Sequence, residues 1–338
     1  MSSVIEHIHH VGEPLPAAVT GGGRELSPRA FEEVKAIMRP RPAWFLFTAA
    51  CAWIAIGLTV WLSVRLGNPF VYVLAVAFIA TRQNVLALLV HEQVHKVGIN
   101  SRLGDRVTNA IAAFWLLLSV EGYRKIHIAH HVHFFTDNDP DFLRKQGEEW
   151  EFPQPVFFFL KTLLRDVSGL NLFRFIRGKR AHARPSAPRE RNRVAAAFTL
   201  LFYGSLAATL TLTGTWRLFL LYWMVPLLTV TQLIVRWGAI CEHRYNLVNP
   251  SLAESTPLIV LSWWERLLLP NLNFNYHIYH HFFPYISGSN LPRVHAIFKR
   301  EGLVVGDRVF HGYIAYLTFL FRAPHTPVSA GELAEAAP

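Results

Sequence analysis

Cysteine is what this chain has least of, and acidic residues are outnumbered by basic ones. It holds two cysteines, Cys51 and Cys241, which gives neither a disulfide scaffold nor the cysteine set of an Fe–S cluster. It contains no CxxCH for haem attachment and no GxGxxG for a dinucleotide, so it carries no recognisable electron-transfer cofactor motif of its own. The first 43 residues contain no signal-peptide core. Asp and Glu total 23 against 33 Lys plus Arg, and charged residues of both signs make up only 17% of 338 residues.

In their place stand apolar residues, at 52%, and 17 histidines. Four stretches approach the roughly 20 apolar residues that a membrane-crossing helix needs: Trp44 to Val64, Phe70 to Val90, Val194 to Thr213 and Trp216 to Val235. An all-α integral membrane fold with four crossings follows. Lys and Arg number 5 before Trp44, 17 between His91 and Arg193 and 8 after Val235, whereas the two short loops hold Arg65 and Arg217 alone. The positive-inside rule therefore places both termini and the long central segment in the cytoplasm. The net charge of +10 raises nucleic-acid binding as a possibility, but the basic residues are spread out and match no basic-aromatic module. Anionic lipid headgroups account for them more simply.

Shorter apolar pieces, Ala110 to Val120, Pro155 to Leu164 and Pro257 to Leu269, cannot span and read as helices in a cytoplasmic cap over residues 44–322. Residues 1–43 read as a flexible arm, with His7, His9 and His10 solvated, ending in a helix from about Ser27 to Met38 that Ser27 caps. The run Lys179 to Arg193 reads as a basic surface loop, and 323–338 as a disordered tail. Arg82 interrupts the second apolar stretch; snorkelling or pairing with another buried polar group outweighs a catalytic role for it.

The histidines fall in groups at the ends of these stretches: His91 and His95, His127 with His130 and His131, His243 beside Glu242, and His277 with His280 and His281. Helix positions three and four apart share a face, so each HxxxH or HxxHH aims its imidazoles at one region. Nine nitrogens are too many for one ion and suit a dinuclear centre. All four groups fall on the side that the charge count makes cytoplasmic, although the two lines of reasoning share no assumption. Imidazole binds Zn, Cu, Fe and Ni alike, so histidine alone does not choose the ion. His91-Glu92-x-x-His95 also fits a zinc protease, but that reading needs one further ligand and leaves most of His127, His130, His131, His277, His280 and His281 without a role.

Taken together, His91-x3-His95, His127-x2-His130-His131 with the downstream Thr136-Asp-Asn-Asp139-Pro-Asp141, and Asn275-Tyr-His277-x2-His280-His281 with the downstream Asn290-Leu-Pro-Arg-Val-His295 resemble the three histidine boxes of the membrane fatty acid desaturase superfamily. The resemblance covers roughly Arg82 to Lys299. It implies four spanning helices, two cytoplasmic iron ions held by the nine histidines, dioxygen as cosubstrate, and electrons from a separate carrier such as ferredoxin with its reductase. His243 sits where many relatives have an extra ligand, but Ala239 replaces the asparagine that stearoyl desaturases place four residues earlier. Of the polar neighbours Glu92, Asp137, Asp139, Asp141, Glu242 and Asn275, the ones expected to support the ligands are Asp141, Glu242 and Asn275. His133 and His295 read as loop or packing histidines. The expected activity is desaturation of an acyl chain or similar lipid, with hydroxylation, ketone formation and alkene-forming decarboxylation as alternatives within the same superfamily.

Overall fold

Among the described residues, four helices are long and apolar enough to cross a membrane, and they coincide with the four apolar stretches of the sequence. The computed structural model describes residues 26–170, 193–247, 250–304 and 309–322. The arm with His7, His9 and His10, the basic run up to Arg193 and the tail lie outside them. A capped helix, α1 (Pro28–Ile37), begins at Ser27, whose Oγ accepts the Ala30 N–H at 3.2 Å. Helices α2 (Pro42–Leu66) and α3 (Pro69–Val94) then form an antiparallel hairpin around Gly67, whose φ of 58° lets it end α2 in the left-handed region.

Helix α3 is central: half of its most apolar window is buried inside the protein, against 6% for α8 (Arg193–Leu212). The helix α9 (Trp216–Glu242) completes the set. Polar groups inside these spans are paired, as lipid requires. Gln83 of α3 donates to the Trp223 carbonyl at 2.9 Å and accepts from Thr231 Oγ at 2.7 Å. Arg82, half-exposed, donates to Thr81 Oγ1 at 3.1 Å and lies 4.8 Å from the Phe78 ring centre.

Between α3 and α8, α4 (Arg102–Thr108) runs into a wide π turn, Asn109–Ala113, and bends by 86° into α5 (Val120–Val132). The π turn disturbs the carbonyl ladder, and two indoles repair it. Trp53 Nε1 donates to Ile111 O at 2.8 Å and Trp115 Nε1 to Ala110 O at 2.9 Å. This fixes the point from which α5 departs. The short α6 (Pro140–Arg144) and the amphipathic α7 (Val156–Val167) follow, and α7 is tied to α9 by a buried pair between Asp166 and Arg236.

After α9 come α10 (Leu252–Ser255), β1 (Leu258–Val260), α11 (Trp263–Leu268), α12 (His277–Phe282), α13 (Leu291–Arg300), β2 (Val309–His311) and α14 (Tyr313–Arg322). The apolar piece Pro257 to Leu269, expected to be one helix, is corrected here: its first part is a strand. Leu258 to Val260 pair in parallel with Val309 to His311, and a capping box between Ser262 and Glu265 starts the helix only after that. An apolar cluster holds the cap together, with Tyr279, Leu291, Phe298 and Leu303 against Ala30 and Val34 of α1.

The cap docks on the end of the bundle where α2 begins and α3 ends. Arg41 donates from its backbone to Val97 O at 2.9 Å and from Nη1 to Ser289 Oγ at 2.9 Å. Gly288 lies at the tightest point of this joint: a Cβ there would sit 2.4 Å from Leu272 O and 3.0 Å from Glu92 Oε1. Gly288→Ala is therefore expected to cost about 1–3 kcal/mol through overpacking against a backbone carbonyl. Thermal unfolding in detergent checks this, and an unchanged midpoint contradicts it.

Candidate metal centre

Each histidine is delivered by the end of a helix or by a short helix packed against one. His91 lies in the last turn of α3 and His95 just past it; α5 carries His127, His130 and His131; His243 follows the last residue of α9; α12 carries His277, His280 and His281. His131 and His281 are half-buried and the other seven buried. The structure brings all nine together.

They divide into two groups. Ring nitrogens of His91, His95, His127 and His280 all lie within 4.8 Å of one another, and His131 joins them, its Nε2 3.0 Å from that of His127 and 3.1 Å from that of His280. In the second group, Nε2 of His243 is 3.1 Å from Nε2 of both His277 and His281, which are themselves 3.1 Å apart, and 3.3 Å from Nε2 of His130. The groups adjoin, with the His131 and His281 rings 4.3 Å apart between centroids. Helix geometry explains the division. On α5 the i, i+4 pair His127 and His131 serves the first group while His130 turns to the second. On α12 the pair His277 and His281 serves the second while His280 turns to the first.

Hydrogen bonding does not account for this arrangement. Three mutually facing Nε2 atoms, those of His243, His277 and His281, cannot satisfy one another, because each neutral nitrogen has a single N–H or a single lone pair in the ring plane. Both ring nitrogens of His91 and of His95 are buried without a hydrogen-bond partner, as is Nδ1 of His277. Two nitrogens bound to one ion at about 2.0–2.1 Å and at right angles lie about 3 Å apart, which is the spacing seen. The residues present fit two metal ions, one for each group.

Other side chains fix the rings. His130 Nδ1 is 2.8 Å from Asp139 Oδ2, which gives Nδ1 the proton and leaves the Nε2 lone pair facing the second group. Asp139 is completely buried, and its Oδ1 also accepts from the Asp141 and Phe142 backbone N–H groups at the start of α6. His243 Nδ1 is 3.0 Å from Thr256 Oγ1. Neither partner is among those expected from sequence: the place of Asp139 before Pro140 marks a helix cap, and Thr256 gives no local signal at 13 residues' distance from His243.

The three supporting residues expected from sequence are placed otherwise. Asp141 pairs with Arg144 and Lys145, and although burial alone would push its carboxyl up, these cations hold it well below the usual carboxylate range. Among the described residues, no hydrogen bond links Glu242 to an imidazole. Asn275 donates to Ile259 O at 2.7 Å, tying α12's approach to β1, while its buried Oδ1 has no partner. Glu92 accepts the Gly288 N–H at 2.6 Å and the Ser287 hydroxyl at 3.2 Å, joining α3 to the loop before α13. His295 contacts the Tyr279 hydroxyl at 3.0 Å, away from both groups, and His133 is exposed.

Helices apolar enough to span a membrane, capped by histidine groups that could hold metal, suit an integral membrane metalloprotein. The fatty acid desaturase family profile matches residues 67–312, most of the chain, and the chain belongs to that family. No curated relative matches it.

Burial, then the neighbouring imidazoles, pushes His243, His277, His280 and His281 well below their ordinary value of 6.5. The unfolded chain thus binds more protons than the folded one as pH drops through 6.5, and stability falls with pH. Metal-free protein, prepared with a chelator, is expected to unfold at a lower temperature at pH 5 than at pH 7.5; equal midpoints contradict this. Asp139→Ala is expected to weaken metal binding about 10–100-fold in a metal titration, while Asp141→Ala changes it less. Equal effects would remove the orienting role given to Asp139.

Proposed function

We propose that this chain is a membrane oxidoreductase that uses two iron ions, dioxygen and externally supplied electrons to desaturate a fatty acyl chain or similar lipid. The observation that carries the reading is the division of nine imidazoles into groups of five and four with nitrogen spacings near 3 Å. His91, His95, His127, His131 and His280 would hold one ion, and His130, His243, His277 and His281 the other. Iron bound there supplies the redox chemistry that zinc lacks.

The residues' own tasks follow from their contacts. Asp139 and Thr256 keep His130 and His243 turned with Nε2 inward. Phe274, whose ring centre is 4.5 Å from that of His91, and Phe134, 5.2 Å from both His243 and His281, exclude water from the nitrogens. Taking two hydrogens from adjacent carbons while dioxygen becomes two waters requires two more electrons and two protons. No motif in the chain stores electrons, so a ferredoxin-like carrier with its reductase provides them, drawn to the basic face by charge. The Lys and Arg count supports a site and both termini on the cytoplasmic side. Hydroxylation, ketone formation and decarboxylation draw on the same metal set and remain the alternatives. The zinc-protease reading is left with a Glu92 engaged by Ser287 and Gly288 and with most of the histidines idle.

Expression in a host that supplies ferredoxin and its reductase, followed by mass spectrometry of the lipids, tests the proposal. New double bonds are expected. His280→Ala and His277→Ala should each lower the product by more than the about 10–100-fold that follows loss of a ligand-orienting group. Hydroxylated or shortened products would decide for an alternative reaction, and unaltered lipids with no oxygen uptake would contradict an oxidoreductase acting on lipid.

A further inference from the structure

The root of the first nitrogen group is bound by a cluster of charges around the buried Asp105 that hydrogen-bonds to none of its imidazoles. Asp105 of α4 is 7% exposed and accepts from four donors: Arg124 Nη1 at 2.9 Å, Arg124 Nη2 at 2.8 Å, Gln93 Nε2 at 2.8 Å and Lys96 Nζ at 2.6 Å. The same guanidinium donates from Nε to Val94 O and from Nη2 to Gln93 O, both at 2.9 Å. These carbonyls belong to the last turn of α3, that of Gln93 also accepting the Lys96 N–H at 3.0 Å, and the cation stands at the negative end of the helix. The chain leaves that turn through Lys96, whose φ is 62°.

Gln93 and Val94 lie between His91 and His95, and Arg124 lies on α5 three residues before His127 and seven before His131. One planar fork therefore sets the distance between the two helix segments that supply four of the five nitrogens in the first group. The second group is held by other means: Asp139 on His130, Thr256 on His243, and the Asn275 contact to Ile259 at the foot of α12.

We propose that Arg124, anchored by Asp105, is a positioning residue that sets the first nitrogen group, and only that group, to the spacing at which it binds metal. This rests on the two-ion reading above. It requires the fork itself as well as the charge, since a lysine cannot reach Asp105 and two carbonyls at once.

The full-length protein in detergent, loaded with iron under reducing conditions, tests this through metal per chain and the Mössbauer spectrum. Wild type is expected to hold two ions. Arg124→Gln should hold close to one, with affinity at the emptied group lowered at least about 10-fold, and Arg124→Lys should not restore the second ion. Asp105→Asn, which keeps the shape of the anchor and removes its charge, should give the same half-loaded protein, and it decides the matter if Arg124→Gln does not accumulate. A role in folding alone would instead lower the unfolding midpoint while leaving two ions and an unaltered spectrum in the folded fraction; that result, or full rescue by Arg124→Lys, overturns the proposal. A wild type without metal would sink the two-ion reading and this inference with it, whereas fully loaded variants would sink this inference alone.

Discussion

Nine imidazole rings crowded into one buried site are held there against their own chemistry. Nε2 atoms of seven rings face one another at 3.0–3.3 Å without being able to satisfy one another, and the nitrogens of His91 and His95 have no hydrogen-bond partner at all. A buried polar atom left in that condition costs about 1–3 kcal/mol, and the debt grows with each ring. Metal coordination by these nitrogens would remove it. The helix ends that stop beside one another, the buried Asp139 and the tight joint at Gly288 can all be understood as the scaffold that such a cage demands.

The same constraint explains why this fold joins membrane helices to a cap. The spans bring the ends of α3 and α9 to one level, and the short helices α5 and α12 turn their three histidines toward two different nitrogen groups. A HxxHH on one helix divides two against one, and the two such helices divide in opposite senses. Neither half of the site can be assembled by any one segment, so the local sequence choices gain meaning only when the cap closes on the bundle.

Much of this was readable in the chain. Apolar runs of about 20 residues announce spanning helices because lipid offers the backbone no alternative partner, and the histidine spacings announce convergence because the helical period is fixed. What was not readable depends on contacts distant in sequence. Leu258 to Val260 became a strand because a partner 51 positions away was there to pair with it. Asp139 rather than Asp141 reached an imidazole because the cap of α6 turns one carboxylate inward and leaves the other to Arg144 and Lys145. Thr256, Ser287 and Arg124 act across folded distances, and a single sequence carries no period or motif that points to them.

Metal quantification with Mössbauer spectroscopy on the purified, unmodified protein addresses the central claim most directly. The account predicts two iron ions per chain in two distinct nitrogen-rich environments, one for each group of imidazoles. A chain that binds no metal, or a single zinc ion with most of the nine histidines unengaged, would contradict it.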